Sequence, residues 1–177
     1  MNKKLAAALS GGAVLVMMAT LSGCGDDAED KKAEWSKAFC PKEKTALDKR
    51  SKAEQLIVAT AADGKPEDIK KADVAAFQQV AESNRALAEA LRTSGVPPID
   101  KGEQLQKDGI KQLEAQAAAY TALKKKAEAL DPKNGDSFAK GLKEIGADME
   151  KADKLLSKAQ PTCQKPKDGA GSPAAGQ

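Results

Sequence analysis

The stretch Ser137–Leu156, SFAKGLKEIGADMEKADKLL, decides the fold. Its apolar residues Phe138, Leu142, Ile145, Met149, Ala152 and Leu156 recur in alternating steps of four and three. That spacing puts them on one stripe of a helix, with Lys, Glu and Asp on the opposite side. A seam of this kind must be buried against other helices, as in a bundle. Gly141 and Gly146 are expected to let a neighbouring backbone come close, and Pro161 to end the helix.

Working back towards the N-terminus, the same signal appears three more times. Asp131-Pro132-Lys133-Asn134-Gly135-Asp136 reads as a turn. Before it, Gln106, Ile110, Leu113, Ala117, Tyr120, Leu123, Ala127 and Leu130 mark about thirty residues of helix. Asp100 and Glu103 have the spacing of a capping box at its start. Ser94-Gly95 and Val96-Pro97-Pro98 form a break. A helix carrying Ile69, Ala72, Ala76, Phe77, Val80, Leu87 and Leu91 precedes it. That helix opens on Pro66-Glu67-Asp68, with proline in the first turn and acids at the positive end of the dipole.

The first helical signal runs from Ala33, with Trp35 and Phe39 on one face and then Ala46, Ala53, Ile57 and Thr60, widened by Leu47 and Leu56. Cys40-Pro41 interrupts it, which predicts either a kinked helix or a short helix followed by a long one. It should stop near Asp63-Gly64, where Gly64 is a candidate for the left-handed position after a helix end. No strand-like alternation occurs. The expected fold is all-α: an antiparallel, up-down four-helix bundle over residues 33–163, with a disordered Gly/Pro/Ser/Ala-rich tail over 164–177.

The front of the chain carries a different message. Asn2-Lys3-Lys4 is basic, and Leu5–Leu21 is apolar without a charge. This is the layout of a secretory signal peptide over residues 1–23, too short and glycine-broken for an ordinary membrane span. Leu21-Ser22-Gly23-Cys24 resembles the lipobox of bacterial lipoproteins. The resemblance implies acylation of the Cys24 sulfur and cleavage before Cys24. Residues 24–32, acidic at Asp26, Asp27, Glu29 and Asp30, then read as a solvated tether to the domain.

The sequence also excludes much. It has 177 residues, a formal charge of +3 and no histidine. Loss of Lys3 and Lys4 with the signal leaves about +1, with charges interspersed and no basic block of the kind that binds nucleic acid. Without histidine there is no Ser-His-Asp or Cys-His constellation, no His-ligated metal and no Glu-x-x-His di-iron site. Glu144 and Asp148 are four apart, but a solvated face explains them better than a cation site, and Lys124-Lys125-Lys126 reads the same way. No cofactor and no catalytic residue are expected.

Two cysteines remain. Cys40 lies near the start of the first helix and Cys163 just after the last. In an up-down bundle these ends share a pole, and export reaches an oxidising compartment, so a Cys40–Cys163 disulfide is expected. Aromatic residues make up only 3% of the chain. A core so poor in rings would benefit from such a crosslink. One irregularity suggests a candidate pocket. Ser83-Asn84 breaks the second stripe, and counting from the Gly95–Ile99 turn sets both beside Gly109. The simpler alternative is that Asn84 fixes register or points outward.

Taken whole, the chain resembles a group of small secreted lipoproteins of actinobacteria. The matching pieces are Trp35–Cys40, Ala76-Phe77-Gln78-Gln79, Gly95–Gly102, Leu105-Gln106-Lys107, Tyr120, Gly141-Leu142-Lys143 and Cys163. They cover most of residues 35–165. The resemblance implies a secreted helical domain and supplies no activity. The expected role is therefore a non-catalytic lipoprotein on the extracytoplasmic face of the cell membrane. It would meet an unknown protein or cell-wall partner, the alternative being carriage of a small apolar ligand between the second and third helices.

Overall fold

The structure is a computed structural model that describes residues 26–61, 64–156 and 163. The signal peptide, Cys24, Pro161 and the 164–177 tail lie outside the described residues. Four helices make up the rest: α1 (Asp26–Ala61), α2 (Pro66–Thr93), α3 (Gly102–Glu128) and α4 (Gly135–Asp153), closed by a 3-10 turn at Lys154–Leu156. The chain is a helical bundle, and no strand occurs among the described residues.

Side-chain contacts set how neighbouring helices run. On α1 and α2, Trp35 donates its indole N–H to the Gly95 carbonyl (3.1 Å) and Lys42 donates to Thr93 (3.0 Å), so the start of one meets the end of the other. On α2 and α3, Gln106 donates to the Leu91 carbonyl (2.6 Å), and the Phe77 and Tyr120 rings lie 6.0 Å apart. Lys70, at the start of α2, donates to the Leu130 carbonyl just past α3 (2.7 Å). On α3 and α4, Lys126 pairs with Asp148, and Tyr120 donates to Asp153 (2.9 Å).

Of the two expectations for α1, the single helix holds: Pro41 lies inside one continuous helix, and no short separate helix precedes it. Pro41 is exposed, so the carbonyl left without its helical donor can be solvated. The helix also begins at Asp26, so most of the expected 24–32 tether is helical. Helix already nucleated by the packed Trp35 turn propagates backwards at little cost, and acids such as Glu29 and Asp30 sit favourably near the positive end.

Elsewhere the ends differ in detail. The capping box at Asp100 and Glu103 does not form. The N-cap of α3 is Lys101, in the left-handed region at φ 54°, and Glu103 pairs instead with Lys107 (2.6 Å). Gly102 follows because a Cβ there would lie 1.9 Å from the Pro97 carbonyl oxygen. Gly141 does accept a close neighbour, but it is the Leu130 side chain, 2.2 Å from where a Cβ would stand, rather than a backbone. Asn134 caps α4 by accepting from the Ser137 N–H.

The core has two storeys. The lower holds Ala53, Ile57, Ala76, Phe77, Val80, Tyr120, Leu123, Ile145 and Met149 among others. The upper holds Trp35, Phe39, Ala88, Ala90, Leu91 and Leu113. The Trp35 and Phe39 rings stack with centroids 4.7 Å apart. Every member of the α4 stripe from Phe138 to Ala152 is buried, whereas Leu56 on α1 is exposed. Because α4 ends level with the lower storey, Leu156 and Cys163 rather than a helix cover the fourth side of the upper one.

Cys163 reaches that position through a disulfide to Cys40, with Cα atoms 5.5 Å apart. The buried Glu43 carboxylate accepts the Cys163 backbone N–H (2.8 Å). The crosslink spans 123 residues. The chain-entropy model gives such a loop about 4–5 kcal/mol. Cys40→Ser and Cys163→Ser should therefore each lower the denaturant-derived unfolding free energy by several kcal/mol and by the same amount; unequal losses would show that the two thiols do not act as a pair.

Candidate functional site

Two places in the bundle concentrate polar or open features. One is a belt of polar side chains between the two storeys. The other is a groove at the end of the bundle where α1 passes the α2–α3 loop.

The belt is assembled from three helices. Asp153, closing α4, accepts from Tyr120 (2.9 Å) and from the Gln116 amide (3.4 Å), and its Oδ1 lies 3.5 Å from the Arg50 guanidinium. Arg50 also bonds Glu54 one turn on (3.2 Å) and donates to Gln116 (3.4 Å). Gln116 in turn donates to the Ala152 carbonyl (3.4 Å). Burial pushes the Asp153 carboxyl up from its ordinary value, while the Tyr120 hydroxyl and Arg50 pull it back. Burial, and then the Asp153 charge, push the Tyr120 phenol up, so it stays protonated and serves as a donor. The Tyr120, Gln116 and Arg50 contacts to Asp153 all converge on its Oδ1, and Oδ2 is buried without a hydrogen-bond partner among the described residues. The belt residues tie α1, α3 and α4 together at one level, and none is left as a nucleophile beside a free base.

Ser83, Asn84 and Gly109 are all buried. Ser83 bonds back to the Gln79 carbonyl within its own helix (2.8 Å). The Leu91–Gln106 and Phe77–Tyr120 contacts fix the register of α2 on α3. Asn84 does not point outward: it is 0% exposed, and neither amide atom has a partner among the described residues. A lone polar residue on a buried seam is a device that fixes register at a cost in stability.

A second seam residue escaped the sequence reading. Asp73 occupies the same stripe as Phe77, Val80 and Asn84, and is 4% exposed, with Oδ2 unpartnered among the described residues. Desolvation pushes its carboxyl up to about 7. Arg50, Gln116 and Asp153 were also missed, each being of a kind that usually faces water. The visible signals were the gaps at 73 and 84 in an otherwise apolar 4-3 pattern.

Of the remaining charged candidates, Asp148, Lys124 and Lys126 are in ion pairs. Asp148 is held by Lys126 and Lys151, whose bonds bring its carboxyl down to about 2. Lys124 pairs with Glu128 (3.4 Å). No cluster able to hold a metal ion occurs among the described residues.

The groove has a volume of about 370 Å³ and is lined by Lys31, Glu34, Trp35, Ala38, Ser94, Val96 and Pro98. Its floor is fixed because the Gly95 carbonyl accepts from both Trp35 and Gln106 (2.8 Å). Val96 on its rim is 53% exposed. The groove is open and mixed in polarity, a surface recess rather than an enclosed cavity.

Compared with protein-family models, curated proteins and solved structures, the chain finds no match in any of the three. No helix among the described residues is long and apolar enough to cross a membrane.

Two predictions separate the seam residues. The Asp73 carboxyl titrates higher folded than unfolded, so its charge costs nothing below about pH 4, and the cost grows until about pH 7. Asp73→Asn should raise stability by about 2–4 kcal/mol at pH 8 and leave it unchanged near pH 4, read from urea unfolding at both pH values. Asn84→Leu should instead stabilise by about 1–2 kcal/mol equally at both.

Proposed function

We propose that the chain is a lipoprotein, anchored through acylated Cys24 on the extracytoplasmic face of the cell membrane. Its helical bundle serves there as a non-catalytic surface-interaction or structural module. The observation that carries this is Leu21-Ser22-Gly23-Cys24 at the end of a basic-then-apolar leader. Two acyl chains hold a protein at a bilayer stably, whereas one does so only marginally.

Three features of the folded part support the reading. The polar belt of Arg50, Gln116, Tyr120 and Asp153 fastens α1, α3 and α4 to one another. The Cys40–Cys163 crosslink suits an oxidising compartment. Charges of both signs alternate over the outer faces, which suits a protein or cell-wall partner better than nucleic acid. Carriage of a small apolar ligand between α2 and α3 draws no comparable support, since Phe77, Val80, Leu91, Leu113 and Tyr120 fill that seam.

Expression of the wild-type chain and of Cys24→Ser in a bacterial host, followed by detergent phase separation and mass spectrometry of the N-terminal peptide, tests the anchor. The wild type should begin at an acylated Cys24 and enter the detergent phase. The variant should be unacylated and leave that phase. A mature N-terminus at any other residue overturns the assignment.

A further inference from the structure

We infer that the first turns of α1 form a rigid stalk that orients the bundle on the membrane, with the Ser94–Lys101 loop as the surface turned to the bilayer. This rests on the lipid anchor proposed above and adds to it a fixed direction and a contact face.

The inference starts from chain length. Only Gly25 separates Cys24 from the first helical residue, Asp26. Beyond that the backbone is one helix as far as Ala61. The helix is gripped from Trp35 onward. Trp35 is 4% exposed, bonded to the Gly95 carbonyl and stacked on Phe39, and Cys40 in the next turn is crosslinked. Residues 26–34 therefore project from a fixed point by about 13 Å. Glu29, Asp30, Lys31, Ala33 and Glu34 along this projection are exposed, as a stalk requires.

A flexible tether of this length would let the bundle tumble over a reach of about 30 Å. A helix continuous with the core does not. It holds the anchored end and the α2–α3 loop on the same side of the molecule, because Trp35 sits against Gly95. The opposite end, where Leu130 meets Lys70, is the length of α3 away, about 40 Å. The end near the anchor carries Val96, 53% exposed, with Pro98 beside it, Lys31 and Glu34 lining the same groove, and Asp100 and Lys101 a few residues on in the chain. An apolar tip set among charges of both signs suits a headgroup surface, where phosphates and amines meet it. The groove beside it then opens towards the bilayer.

The test uses the full, lipid-bearing protein, purified from membranes and reconstituted into phosphatidylethanolamine/phosphatidylglycerol vesicles. A donor fluorophore is placed on Asp100→Cys in the loop or on Lys133→Cys at the far end, with an energy-transfer acceptor on lipid headgroups. Transfer from position 100 should exceed that from position 133 several-fold. Replacing residues 26–32 with a Gly-Ser segment of equal length should collapse the contrast while leaving the melting temperature of the bundle near that of the parent. Protein that floats with the vesicles but transfers equally from both positions overturns the orientation alone. A contrast that survives the Gly-Ser replacement overturns the stalk. Protein that does not float at all overturns the anchor, and the orientation with it. The comparison of positions 100 and 133 stands on the unaltered stalk even if the replaced chain folds poorly.

Discussion

The bond from the Trp35 indole to the Gly95 carbonyl governs the upper half of this molecule. It fixes where the long first helix crosses the α2–α3 loop. Gln106 reaches the same carbonyl from α3, so one backbone oxygen gathers three helices. The carbonyls at the end of α2 would otherwise lack partners, and these side chains supply donors to them. The upper apolar storey, the groove and the direction of the α1 projection all follow from that junction. Remove it, and Phe39, Leu91 and Leu113 lose the geometry that brings them together.

Beneath the junction, the bundle is an assembly of unequal helices. α2 is the most enclosed, and its seam carries two polar residues, Asp73 and Asn84, that gain little from being there. α4 is the shortest and stops at the level of the Arg50–Asp153 contact. A polar belt at that height lets the last helix end without leaving its final residues unanchored. The disulfide then carries the chain across the face that α4 does not reach.

Much of this was legible in the residues. The 4-3 stripe from Phe138 to Ala152 gave the buried face of α4, and the turns at Ser94-Gly95 and Asp131–Asp136 gave helix ends close to those observed. The pairing of Cys40 with Cys163 followed from bundle topology. What escaped had definite causes. Pro41 left one helix or two open in the sequence, because local propensity disfavours it there; tertiary packing on both sides outweighs one missing hydrogen bond and decides for one. Residues 26–32 looked like a tether because their polarity hides that they extend a helix nucleated elsewhere. The belt was invisible because Arg50, Gln116 and Asp153 are polar residues of kinds that usually face water, and only the fold brings them together.

The crosslink between the first helix and the last described residue has a temporal side. Alanine makes up much of the core, so each contact removes little surface from water, and the upper storey leans on a covalent bond that chemistry must add afterwards. With the thiols reduced, the front of the first helix and the segment at Cys163 would be held only by these small contacts. With them oxidised, the two are latched together. The redox state of the surroundings thus sets how firmly the two ends of the fold are joined.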